Sequence, residues 1–199
     1  SKGAGTGAVP DLFQGEPVLY VVAVGTSDYA GSELDLQYAG KDARDMALAL
    51  YQIGKQLFRD SVFVTLLTTD TSNAALQPTK ANIRSTFEKI KNRARAGDVL
   101  VVYFSGHGIA YGDADRALFY YLTKEIGSFD LSDAGVREQR TVSSNELTRW
   151  INDIPALKQV LILDACNSGK ILENLSLNSR ALNTSQIRAL DRMKDRTGM

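Results

Sequence analysis

The 199-residue chain holds one cysteine and one histidine, and both scarcities exclude chemistry. A lone thiol cannot close an intrachain disulfide, which fits a reducing compartment or a fold that needs no covalent staple. One histidine with one cysteine cannot furnish a zinc site of the usual composition, and no metal or cofactor is expected. No apolar run approaches the roughly 20 residues that span a bilayer. Charge is balanced, with 23 basic against 23 acidic side chains. No basic excess therefore argues for nucleic acid or an anionic membrane surface. No P-loop and no Gly-x-Gly-x-x-Gly follows the first strand pattern, so nucleotide binding lacks support. The first residues lack the basic-then-apolar pattern of a secretion signal, and a cytoplasmic location is expected. What remains is ordinary globular material, 44% hydrophobic and 23% charged, enough to bury one sizeable core.

Strand-like and helix-like patterns alternate along that material. Residues 1–17 are rich in Gly, Ala and Pro without periodicity and read as a linker from an upstream module, leaving 18–199 as the folded domain. Val18–Gly25 is apolar on both parities, as a strand covered on both faces must be. Ala43, Met46, Ala47, Leu50 and Leu57 recur at helical spacing and predict a helix over 40–58. Val62–Leu67 reads as a strand. Pro78-Thr79 opens a helix carrying Ile83, Phe87, Ile90 and Ala94 on one face. Val99–Phe104 and Ala117–Thr123 are strand-like, and 124–142 reads as a long irregular loop. Ser143-x-x-Glu146 is a capping box before the stripe Leu147, Trp150, Ile151 and Ile154. Val160–Leu163 is the last strand pattern, followed by polar, turn-like sequence and a short helix over 184–195. The alternation predicts an α/β fold, a mostly parallel sheet with helices on both faces.

The two rare residues stand just past the ends of two of those strands. Val99–Phe104 runs into Ser105-Gly106-His107-Gly108, and Val160–Leu163 runs into Asp164-Ala165-Cys166-Asn167-Ser168-Gly169. Open parallel sheets place their reaction sites at such C-terminal strand tips. Taken alone, a lone histidine is more often structural and a lone cysteine more often a small buried hydrophobe. Their shared position reverses both readings. A thiolate nucleophile needs a base and an accessible place, and this pair supplies both: His107 as general acid/base, Cys166 as nucleophile. The glycines around His107 permit close substrate approach, and the amides of Gly108 and Cys166 can point at a developing oxyanion. A serine triad is disfavoured because neither Ser105 nor Ser168 sits in a nucleophile-elbow sequence.

These motifs resemble those of the caspase-like cysteine peptidases. Gly25-Thr-Ser-Asp-Tyr29 and Ala39-Gly-Lys-Asp-Ala43 resemble the same family's opening segment, Asp-x-Cys points to its metacaspase and orthocaspase branch, and the N-terminal strand resembles that of bacterial members fused to other modules. The resemblance implies a caspase-like fold, a Cys–His dyad and a protein or peptide substrate; no third triad residue can be named, and a backbone carbonyl is one group that could orient the imidazole. It also implies a small subunit of the same precursor, absent from this chain, that supplies further sheet strands and follows autoprocessing. Asp164 lies two residues before the nucleophile and thus on the same side of a pleated strand. A carboxylate there would meet a cationic P1 side chain in a charge-assisted contact worth roughly 1.5–3 kcal/mol, so Arg or Lys is the expected P1 residue. Asp42 is the second expected acidic wall, although a carboxylate also suits a helix start for its own sake. Calcium dependence is not expected: the helix start Val142-Ser-Ser-Asn145 lacks paired carboxylates, and Asp113 and Asp115 are loop residues. The competing readings are a catalytically silent signalling scaffold and a peptide ligase working through the same intermediate.

Overall fold

The computed structural model describes residues 15–113 and 117–165. Four strands form a parallel sheet: β1 (Leu19–Gly25), β2 (Val62–Thr68), β3 (Val99–Ser105) and β7 (Lys158–Asp164), in the order β2-β1-β3-β7. A smaller antiparallel sheet joins β4 (Gly108–Tyr111), β5 (Leu118–Leu122) and β6 (Thr141–Ser143). The pattern at 117–123 is thus a strand, but of this second sheet rather than the first.

Both parities of β1 and β3 are apolar because helices cover both faces. One face packs against α1 (Ala39–Phe58), the other against α2 (Lys80–Lys91) and α4 (Ser144–Asn152). Helix α1 meets the sheet through small residues, Ala39, Gly40, Ala43, Ala47 and Gly54, so its backbone lies close to β1. A Cβ on Gly25 would strike the Ala39 carbonyl and Ala43. Leu57, expected on that buried face, is 74% exposed. Gly54 takes the contact with Leu19 and Val62 one turn earlier, and Leu57 falls outside it. On the opposite face Ile83, Phe87 and Ile90 of α2 meet Leu147, Trp150 and Ile151 of α4, with the Phe87 and Trp150 rings 5.7 Å apart. The expected capping box is formed: the Ser143 hydroxyl accepts from the Glu146 amide at 3.2 Å, and Glu146 accepts from the Ser143 amide at 3.1 Å.

The segment 124–142 is not the irregular loop its composition suggests. It contains α3 (Ala134–Arg140), capped by Asp133, and then β6. Ile126 and Leu131 are buried in a second core with Tyr29, Leu34 and Leu122, joined by the partly buried Phe129 and Val136. Its backbone is bonded to the loop after β1, where the Ala30 amide donates to the Lys124 carbonyl at 2.8 Å. The segment is a strap across the C-terminal rim of the large sheet. No helix among the described residues is long and apolar enough to cross a membrane.

Candidate active site

From β1 the chain crosses to β2 on one side, while β3 and β7 lie on the other, so the order reverses between β1 and β3. Crevices at such reversals, beyond the carboxyl ends of the strands, are where open α/β sheets bind ligands. His107 stands there, two residues past β3, against the loop that leaves β1.

Its imidazole is 5% exposed and held from three directions. Nε2 lies 2.8 Å from the Leu34 carbonyl, which only accepts, so Nε2 carries the proton. The Tyr29 ring lies 5.3 Å away, tilted by 35°, and the Phe129 ring meets the imidazole edge-on at 5.0 Å and 75°. Burial lowers the pKa of His107 and the Leu34 carbonyl opposes that shift, leaving a neutral ring at pH 7. With Nε2 protonated in a neutral ring, Nδ1 is the basic nitrogen. Nδ1 is buried and has no hydrogen-bond partner among the described residues. Burying an acceptor without a partner is costly, and a proton donor brought to Nδ1 would remove that cost.

Two phenols fix the backbone beneath the ring. The Tyr29 hydroxyl accepts the His107 amide at 3.0 Å. The Tyr121 hydroxyl donates to the Ser105 carbonyl at 2.8 Å and takes its own bond from Thr26 Oγ1, also at 2.8 Å. Both hydroxyls converge on Gly106, whose φ is +150°. A Cβ there would lie 2.9 and 3.0 Å from them, so the position needs glycine both for the turn and for the approach. Gly108 opens β4, and a Cβ on it would run into the Phe119 ring.

Strands β3 and β7 pair in register, Ser105 opposite Asp164, so both chains leave the sheet at one level. Ala165 then lies within 3.2 Å of the place a Gly108 Cβ would take. Cys166 follows directly and lies outside the described residues, as do Asp115, the linker residues 1–14 and the helix expected over 184–195. Asp164 is exposed on the α1 face of the sheet, where it accepts a hydrogen bond from the Tyr103 hydroxyl at 2.9 Å. Burial and the Asp164 carboxylate push the Tyr103 phenol up to about 12, and Asp42 adds to that rise from the first turn of α1. Asp42 and Asp164 thus act on one phenol and stand on one side of the rim.

The sequence did not announce Leu34, Tyr29, Tyr103 or Phe129 as site residues. A main-chain carbonyl leaves no mark in the sequence, and Tyr103 passes for part of an apolar run. Two clefts of about 300 and 270 Å³ open on the α2 side of the sheet, and neither is lined by His107 or the two carboxylates.

A family model for the metacaspase, peptidase C14 domain matches residues 21–175. Among curated proteins, metacaspase-4 and metacaspase-3 of Arabidopsis thaliana are 28% identical over 153 residues and 30% over 151. Metacaspase-1 of Coccidioides immitis is 30% identical over 148. Each alignment takes in 73% of this chain but only 32%, 39% and 30% of the relative, so the chain spans about a third of their length. The crystal structure of protein GSU0716 from Geobacter sulfurreducens shares the fold, with a TM-score of 0.54 at 16% identity, covering 91% of this chain and 66% of that one. With the C14 model spanning most of its length, this α/β chain belongs to the metacaspase family.

Proposed function

We propose that the chain carries the catalytic dyad of a cysteine endopeptidase that cleaves after Arg or Lys. The observation that carries this reading is the His107 ring: a neutral imidazole, protonated on Nε2 toward Leu34, with an unpartnered Nδ1 at the sheet rim where the β7 chain leads into Cys166. In the proposed reaction the Cys166 thiol gives its proton to Nδ1, and the thiolate attacks the scissile carbonyl carbon. The oxyanion is assigned to the amides of Gly108 and Cys166. Collapse breaks the C–N bond, and the leaving amine takes the proton back from Nδ1. Water, deprotonated by the same nitrogen, then hydrolyses the thioester and restores the thiol. Asp164, with Asp42 on the same side of the rim, supplies the acidic wall for a cationic P1 side chain.

The test is hydrolysis of Arg- and Asp-terminated fluorogenic peptides by the full-length polypeptide. Cys166→Ala should abolish turnover, and His107→Ala should lower kcat by about 10²–10⁴. Equal activity in Cys166→Ala defeats the mechanism, and preference for Asp defeats the pocket assignment. A scaffold role predicts no reaction of Cys166 with a substrate-mimicking electrophile while a partner is still retained. Product analysis with an added amine separates hydrolysis from ligation. The relatives named above are plant and fungal, so a bacterial, orthocaspase-type origin and self-cleavage toward a small subunit rest on the motifs alone.

A further inference from the structure

The strap 124–142 brings one aromatic ring to the imidazole. Phe129 sits between Ser128 and Asp130, both exposed, and is itself partly buried. Its neighbours in the strap are independently anchored. The Gly31 amide donates to the Ile126 carbonyl at 3.3 Å, Ile126 and Leu131 are buried, and the Arg137 guanidinium donates to the carbonyls of Leu131 and Ser132. Arg137 is held in turn over the Tyr111 ring at 4.5 Å. The ring of Phe129 is therefore delivered from two fixed ends, not from a loose tip.

We propose that Phe129 is a positioning residue for His107: with Tyr29 on the other flank, its ring edge fixes the plane of the imidazole so that Nε2 stays on Leu34 and Nδ1 stays at the rim. Leu34 alone anchors one atom of the ring and leaves rotation about the bond to that atom. Two aromatic contacts at 5.3 and 5.0 Å, at 35° and 75°, remove that rotation. The same ring keeps water from the imidazole. Titratable groups on the elements around the ring include Asp28, Tyr29, Glu33 and Asp35 in the loop after β1, Tyr121 on β5, and Lys124, Glu125, Asp130 and Asp133 in the strap. Burial under this cover lowers the imidazole pKa and the Leu34 bond opposes it, so among the described residues the cover is the lever.

The peptidase reading enters only through the kinetic half of the test. His107 is the sole histidine of this chain, so its carbon-bound ring protons give isolated NMR resonances. In the 199-residue chain, Phe129→Ala should move the titration midpoint up toward the ordinary histidine value, and should shift those resonances by more than the loss of the Phe129 ring current alone, because the imidazole also turns relative to Tyr29. Phe129→Tyr should restore both. Phe129→Leu, which keeps most of the volume, should lose the ring-current displacement, and it carries the reading if the alanine variant does not fold. In the full-length polypeptide the acid limb of kcat/KM should move with the midpoint, and kcat should fall about tenfold. Titration and ring shifts unchanged in the alanine and leucine variants overturn the proposal. A shifted titration in a protein with no peptidase activity leaves this inference standing and removes the peptidase reading.

Discussion

At the scale of single residues, the acidic wall proposed for the P1 side chain depends on a side chain that does not itself bear charge. The Tyr103 hydroxyl holds Asp164 from within the sheet, 2.9 Å away. A hydrogen bond to a charged acceptor is worth about 1.5–3 kcal/mol, and the exposure of Asp164 favours the lower end. Tyr103→Phe should therefore raise KM for an Arg substrate about tenfold while leaving kcat within about twofold. Steady-state kinetics on Arg- and uncharged-P1 peptides would check this, since only the former should respond. The pH dependence of folding has a definite sign. The folded chain disfavours the imidazolium, so between the lowered pKa and the ordinary value of about 6.5 the unfolded chain binds more protons. His107 thus contributes its full stability above that ordinary value, and the contribution is lost as pH falls below it. Urea titrations at pH 7.5 and 5.5 should show a drop that is smaller in His107→Gln.

At the scale of elements, the capping box that starts α4 joins the small sheet to the core beneath the large one. Ser143→Ala removes the Glu146 amide's acceptor and should cost about 1 kcal/mol, read as a lower denaturant midpoint at constant m. Phe87→Ala, at the contact with Trp150, should cost about 3–5 kcal/mol. The elements that were legible in the sequence are those whose burial is periodic. Strands β1 and β3 declare themselves because both faces are apolar, α2 and α4 because one stripe is. In the antiparallel sheet β5 is legible but its partners are not, since β4 has four residues and begins on glycine, and β6 has three. The strap is illegible for a related reason: Ile126, Phe129, Leu131 and Val136 follow one another at intervals of three, two and five residues, so no period of two or 3.6 is sustained. Leu57 was misread because its helical phase is right while the sheet surface beneath it has already ended.

At the scale of the whole molecule, one side of the large sheet is unfinished among the described residues. Strand β7 has no neighbour beyond it there, Val160 is 47% exposed and Leu157 72%. An open strand edge beside apolar side chains invites pairing. If the small subunit proposed above pairs with this edge, hydrogen exchange should find the β7 amides less protected in the 199-residue chain than in a polypeptide that carries it, with burial of Val160 accompanying the difference. Equal protection in both would mean that nothing further covers this edge. The rim itself has a more consequential economy. Leu34, which anchors the imidazole, and Asp42, which faces the substrate's charge in the proposed pocket, ride on one continuous stretch, the loop after β1 and the first turn of α1. Anyone wishing to transplant a different selectivity onto this scaffold must move residues 34–42 as one cassette, because altering the acid's seat also tugs on the histidine's tether.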